Sequence, residues 1–141
     1  MYERPERPEL AAGAVLACLA VLCGAFGAHA LKPYLDAEAV GWWTTAVQYQ
    51  MWHALAVVAI GLSGRPWARL PGLLFILGSI IFSATLYAMA LGGPRWLGAI
   101  TPLGGLTLIA AWALLAWRAL ASRRSQSPGG LERGGRRPKG N

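Results

Sequence analysis

Acidic residues are scarce in this chain. Six Asp and Glu stand against thirteen Lys and Arg, and charged residues make up 13% of the 141 positions, against about 25% in an ordinary soluble domain. Histidine occurs twice, as His29 and His53, and cysteine twice, as Cys18 and Cys23. The two cysteines are five apart in one apolar run. On a helix they point about 140° away from each other and cannot pair, so they read as small hydrophobes. There is no CxxC, no metal-ligand spacing, no carboxylate pair and no Ser-His-Asp set. No catalytic residue, no metal and no cofactor is expected. The net charge is +7, but the basic residues gather outside the apolar runs, many of them after Ala121. Nucleic acid is therefore not an expected partner.

Long apolar runs are what the chain has instead, with 55% hydrophobic residues overall. Four of them, at about 10–31, 43–62, 70–91 and 102–121, hold no Asp, Glu or Lys and no Arg except Arg118. At 1.5 Å per residue each can cross a hydrocarbon layer of about 30 Å. Thr101 and Pro102 suit the N-cap and first position of the fourth helix, and Gly92-Gly93-Pro94 ends the third. The expected fold is all-α: an integral membrane four-helix bundle.

Orientation follows from the basic residues. Arg4, Arg7, Arg65, Arg69, Arg118 and the tail fall on one side, while Lys32 and Arg95 fall on the other with Asp36 and Glu38. The positive-inside rule then places both termini in the cytoplasm of a multi-pass bacterial inner-membrane protein. Trp42, Trp43 and Trp96 suit the outer aromatic belt, and Trp67 and Trp117 the inner one. Residues 1–9 form a cytoplasmic segment. Residues 36–45 are polar enough to start a surface helix that feeds the second span. Residues 122–141, rich in Arg, Gly, Ser and Pro, form a disordered basic tail that either touches anionic lipid or only sets topology.

One stretch invites another reading. In "GAFGAHALKPYLD", Gly24–Asp36, an apolar run ends in Ala28-His29-Ala30, the pattern of a signal-peptide cleavage site. Against cleavage, Glu3, Glu6 and Glu9 offset the early arginines, and the run exceeds the 7–15 residues typical of a signal core. It is read as the outer end of a retained helix.

Four motifs bear a family resemblance. "GAFGAHALK" at 24–32, "TAVQYQMWHALAVVAIG" at 45–61, "LFILGSIIFSATLYAMAL" at 74–91 and "ITPLGGLTLIAAWALLA" at 100–116 resemble, in order and spacing, the four helices of the domain of unknown function 423 family. Its members are small bacterial inner-membrane proteins with relatives in eukaryotes. The resemblance implies a four-helix integral membrane protein and no activity. The N-terminal "ERPERPE" and the Arg-rich tail lie outside it.

Within the spans, polar groups collect in the outer half. Thr45, Tyr49 and His53 are spaced i, i+4, i+8, with Gln50 beside them; Ser79, Ser83 and Tyr87 make the same stripe on the third helix. His53 should lie roughly 9–15 Å below the outer boundary, and His29 and Thr101 within about one turn of it. The candidate cluster is His29, Tyr49, Gln50, His53, Ser83, Tyr87 and Thr101. It forms either a shallow wet pocket or a set of interhelix hydrogen bonds of about 0.6 kcal/mol each. Small residues mark candidate packing faces: Ala20, Gly24 and Ala28 on the first helix, Ala84, Ala88 and Gly92 on the third, and Gly104 and Gly105 on the fourth. A homodimer interface is one use for such faces.

The function expected from these features is that of a non-enzymatic structural, accessory or lipid- and partner-binding membrane component. Its partners would be membrane lipids, another membrane protein or a second copy. The alternative is a small-solute transporter or channel working as an oligomer. That reading lacks a membrane-embedded carboxylate and a polar inner half. A haem held by His29 and His53 is disfavoured by a depth mismatch of roughly 5–10 Å. A membrane enzyme using His53 lacks a partner carboxylate.

Overall fold

The computed structural model describes residues 7–124, with no side-chain account beyond Ser122. The start of the N-terminal segment and the tail from residue 125 lie outside the described residues. Four long helices account for nearly all of the rest: α1 (Pro8–Phe26), α2 (Ala37–Ser63), α3 (Arg69–Ala90) and α4 (Leu97–Arg124). A π-helical turn, Gly27–Leu31, prolongs α1, and a 3-10 turn, Pro66–Ala68, leads into α3. No strand is present among the described residues.

The boundaries have local causes. Asp36 caps α2, its Oδ1 accepting from the Ala39 N–H at 2.8 Å, so the polar segment expected at the surface is the first part of α2 itself. Gly64, with φ +62°, ends α2 in the left-handed region that favours glycine. The fourth helix differs from expectation. It starts at Leu97, and Pro102 lies inside it. Backbone turns Leu97 N–H to Pro94 O, Gly98 N–H to Arg95 O and Ala99 N–H to Trp96 O wind the chain before Thr101 is reached. Pro102 then only deprives the Gly98 carbonyl of its i+4 donor, a small loss near a helix start.

Three stretches are long and apolar enough to cross a membrane: Pro8–Leu31, Pro66–Ala90 and Leu97–Ser122. α2 is as long, but residues 44–53 of it bear Thr44, Thr45, Gln48, Tyr49, Gln50 and His53. That composition explains the cross-section. α2 and α3 occupy the centre, while α1 packs on α2 and α4 packs on α3. Among the described residues α1 and α4 share no packed seam, so the four helices do not close into a square. The polar helices are the ones that need neighbours on several sides. The flanking helices expose Val15, Leu19, Leu22, Leu103, Leu106 and Ile109, which lipid tails solvate as well as protein does.

The core runs along the two central helices. Val57, Ile60, Phe75, Leu108 and Ala111 pack together toward the α2–α3 turn; Ala46, Leu86 and Met89, and Trp43 with Ala39 and Ala90, continue it toward the opposite end. Ion pairs and one charged hydrogen bond tie the ends. Arg69 Nε lies 3.6 Å from Glu9 Oε1, joining the starts of α3 and α1. Arg118 Nη1 donates to the Trp67 carbonyl, joining α4 to the α2–α3 turn. At the other end Arg95 Nη2 lies 3.7 Å from Glu38 Oε2. Arg7, Arg65, Arg69 and Arg118 therefore share one end of the protein, and Lys32 and Arg95 the other.

Candidate functional site

The seven polar candidates are distributed over three helix seams and a rim. Tyr49, His53, Ser83 and Tyr87 lie on the α2–α3 seam. Gln50 turns from that seam to α1. Thr101 belongs to the α3–α4 seam, and His29, on the π-helical turn, is exposed.

The α2–α3 seam reads as an antiparallel ladder. Tyr87 packs on Trp43, ring centroids 4.6 Å apart. One turn further in, the Ser83 hydroxyl donates to the Ala46 carbonyl at 3.1 Å. Tyr49 then stacks on Phe82 at 4.5 Å. His53 follows, 6% exposed, with Phe75 at 5.7 Å and Trp112 of α4 at 6.4 Å. Its Nδ1 is 2.6 Å from the Tyr49 carbonyl. A carbonyl can only accept, so Nδ1 carries the hydrogen. The histidine thus bonds to its own helix and presents its ring to an aromatic cluster. Two buried hydroxyls on this seam, Ser79 Oγ and Tyr87 Oη, have no hydrogen-bond partner among the described residues.

The other seams are closed by side chains reaching main-chain carbonyls or each other. Gln50 Nε2 donates to Leu16 O of α1 at 2.9 Å in a buried setting. Thr85 Oγ1 and Thr101 Oγ1 are 2.9 Å apart across α3 and α4, and each is within reach of a carbonyl one turn back on its own helix. With one hydrogen apiece, one hydroxyl donates across the seam and the other donates to its own helix. The position assigned to a helix cap in the sequence is thereby an interhelix contact.

The small residues divide in the same way. Ala20 is fully buried on the α1–α2 seam. Gly104 is buried so closely that a Cβ would stand 2.6 Å from the Phe82 nitrogen. Gly105 and Ala88 are half-buried, and Ala84 faces outward. Gly24 and the exposed Ala28 line a groove of about 310 Å³ with Lys32, Val40 and Val47.

Several contributors escaped the sequence reading. Trp43, taken for an interfacial belt residue, is buried, and its Nε1 donates to the Cys23 carbonyl at 2.9 Å. Its indole occupies the space where a Cβ on Gly27 would go. The Gly27 N–H bonds the same Cys23 carbonyl, so the indole shares a helix acceptor just where α1 widens into the π turn. A Cβ on Gly13 would stand 2.7 Å from the Val58 nitrogen, which makes Gly13 a point of close backbone approach between α1 and α2. The available signal was glycine inside an otherwise strong helix former, which usually has a packing reason.

Comparison with known proteins finds membrane proteins similar to this chain. A family described as "Protein of unknown function (DUF423)" matches residues 23–105. The chain is 45% identical over 109 residues to the UPF0382 membrane protein SH2409 of Staphylococcus haemolyticus, covering 73% of this chain and 87% of that protein. It is 40% identical over 108 residues to the UPF0382 membrane protein YwdK of Bacillus subtilis, covering 73% and 88%. It is 34% identical over 108 residues to the UPF0382 inner membrane protein YgdD of Escherichia coli K12, covering 74% and 82%. No solved structure matches.

Proposed function

This chain belongs to the DUF423 family of membrane proteins, and on that premise we propose that it is a four-span protein of the bacterial inner membrane with both termini in the cytoplasm. In this reading it is a non-enzymatic accessory component that binds lipid or a membrane partner, including a second copy of itself. The orientation draws support from the grouping of Arg7, Arg65, Arg69 and Arg118 at one end.

The observation that supports a non-enzymatic role best is how the polar groups are used. Gln50, Ser83, Thr85 and Thr101 spend their hydrogen bonds on neighbouring helices or on each other. His53 spends its Nδ1–H on its own helix. A transport path or a reaction centre needs such groups to converge on a shared space. The groups here close seams, and the broad apolar faces of α1 and α4 are left for lipid or a partner.

Purification of the full chain in mild detergent, with identification of whatever remains bound, tests the reading. A stoichiometric protein or lipid is the expected result. Flux of a small solute through liposomes containing the protein, above that of empty liposomes and abolished by His53→Leu, would replace it with transport.

A further inference from the structure

The end of the protein that bears the α2–α3 turn holds a second, unrelated constellation. A cavity of about 210 Å³ lies between the first turn of α1, the last turn of α2 and the first turn of α3. Arg7, Glu9, Gly61, Gly64, Arg65 and Arg69 line it. Its walls follow from the backbone. At Gly61 a Cβ would stand 2.5 Å from the Leu10 nitrogen, so only glycine lets the start of α1 lie against α2 there. Gly64 then turns the chain, and the 3-10 turn delivers Arg69 to the head of α3.

The charge is one-sided. Three arginines and one carboxylate, Glu9, line the cavity; Glu9 is largely buried, with Arg69 Nε 3.6 Å from its Oε1. Arg7 and Arg65 have no ion-pair partner among the described residues and both are exposed. Arg65 lies over the Trp67 ring, 5.7 Å from its centroid. The Trp67 carbonyl is in turn held by Arg118, so the turn is fixed to α4. Two helices start at this cavity, and neither has a side-chain cap. Their positive dipole ends add to the arginines. Below the cavity, Arg69, Leu73 and Leu77 follow one another at i, i+4, i+8, and both leucines are exposed. A guanidinium cradle thus sits at the head of an apolar track.

We propose that this cradle binds the phosphate of an anionic phospholipid headgroup, with Arg7 and Arg65 gripping the oxyanion, Arg69 forming the fixed wall, and an acyl chain lying along Leu73 and Leu77. Arginine suits the task because its planar fork pairs two N–H groups with two phosphate oxygens. Basic pockets between membrane helices at the cytoplasmic side are lipid-headgroup sites on the same physical grounds. The inference deepens the lipid-binding part of the proposed function. It rests on the membrane reading, but the binding does not depend on which leaflet the cradle faces.

The test is native mass spectrometry of the full chain in neutral detergent, titrated with phosphatidylglycerol or with phosphatidylcholine of the same acyl chains. Wild type should retain phosphatidylglycerol in preference to phosphatidylcholine. Arg7→Gln with Arg65→Gln should weaken retention about 30-fold, at roughly fivefold per basic residue near a membrane surface. Arg65→Gln alone should show the smaller step. Arg95→Gln, at the opposite end, and Arg133→Gln with Arg136→Gln and Arg137→Gln, in the tail, should leave retention unchanged. Equal retention by the Arg7/Arg65 variant and wild type overturns the site, as does equal retention of the two lipids. Displacement of phosphatidylglycerol by millimolar inorganic phosphate reassigns the cradle to free phosphate. Solute flux or a reversed topology would defeat the proposed function and leave this titration unaltered.

Discussion

Gly104→Ala and Gly105→Ala make the same chemical change at adjacent positions of α4, and packing sets them apart. A Cβ at Gly104 would stand 2.6 Å from the Phe82 nitrogen and 2.9 Å from its Cα. Unstrained carbon contacts are about 3.5–4.0 Å, so α3 and α4 must part by about 1 Å. The atoms struck belong to backbone, and no side chain can swing away. At Gly105 the nearest atoms are Phe82 ring carbons at 3.9 Å, and a methyl fits. Both variants gain about 1 kcal/mol of helix propensity, which cancels in the comparison. Overpacking costs about 1–3 kcal/mol. In lipid, where close packing is a main attraction between helices, little offsets that loss. Gly104→Ala should therefore be less stable than Gly105→Ala by about 1–3 kcal/mol, or roughly 5- to 150-fold in the unfolding equilibrium. Reversible unfolding of the full chain in mixed micelles with increasing dodecyl sulfate, followed by circular dichroism, measures the difference. Equal stabilities, or a more stable Gly104→Ala, would refute the claim that backbone contact at this point holds α4 to α3.

Three further perturbations probe the other seams by the same titration. Gln50→Leu removes the bond to Leu16 O and should cost about 0.6 kcal/mol and no more than about 1.7, whereas Gln48→Leu, at an exposed position, should cost nothing measurable. Thr85→Val and Thr101→Val should each destabilise, and the double variant by less than their sum, with a coupling of about 0.5–1 kcal/mol; zero coupling would deny the hydroxyl pair. Glu9→Gln should cost about 0–1 kcal/mol, and the cost should shrink as salt rises from 0.01 to about 0.15 M; a salt-independent loss would assign Glu9 a packing role.

Much of the architecture is legible in the residues. Uncharged runs of about twenty residues allow little besides a helix in a membrane. The end of the third helix announces itself through Gly92-Gly93-Pro94, and the polar segment from Asp36 marks the approach to α2. Arg65 and Arg69 fall at one end of the protein and Lys32 and Arg95 at the other, as their loops' positions in the sequence imply. The stripes Tyr49/His53 and Ser79/Ser83/Tyr87 are also visible as spacing; across the seam Tyr49 meets Phe82, Ser83 the Ala46 carbonyl and Tyr87 Trp43. The start of α4 is not legible in the same way. Thr101-Pro102 is a good cap signal, yet three backbone turns after Pro94 wind the helix first, and no propensity rule weighs those turns against the cap.

Which neighbour each face meets was not available from the sequence. A helix in water declares its buried side by an apolar stripe, but α1 and α4 are apolar almost all round. In lipid the choice of face is left to close approach and a few hydrogen bonds, and both need coordinates on two helices at once. Nothing in "GAH" says that Gly27 is cut away for the indole of Trp43, and Gly104 and Gly105 are identical as letters. Arg7 and Arg65 are 58 residues apart in sequence and line one cavity because Gly61 draws α1 onto α2. Composition determined that this chain is helical and lives in a membrane, because charge and apolar length are properties of single segments. The tertiary structure decided which polar groups close seams and where three arginines face one space, because those are properties of pairs of segments.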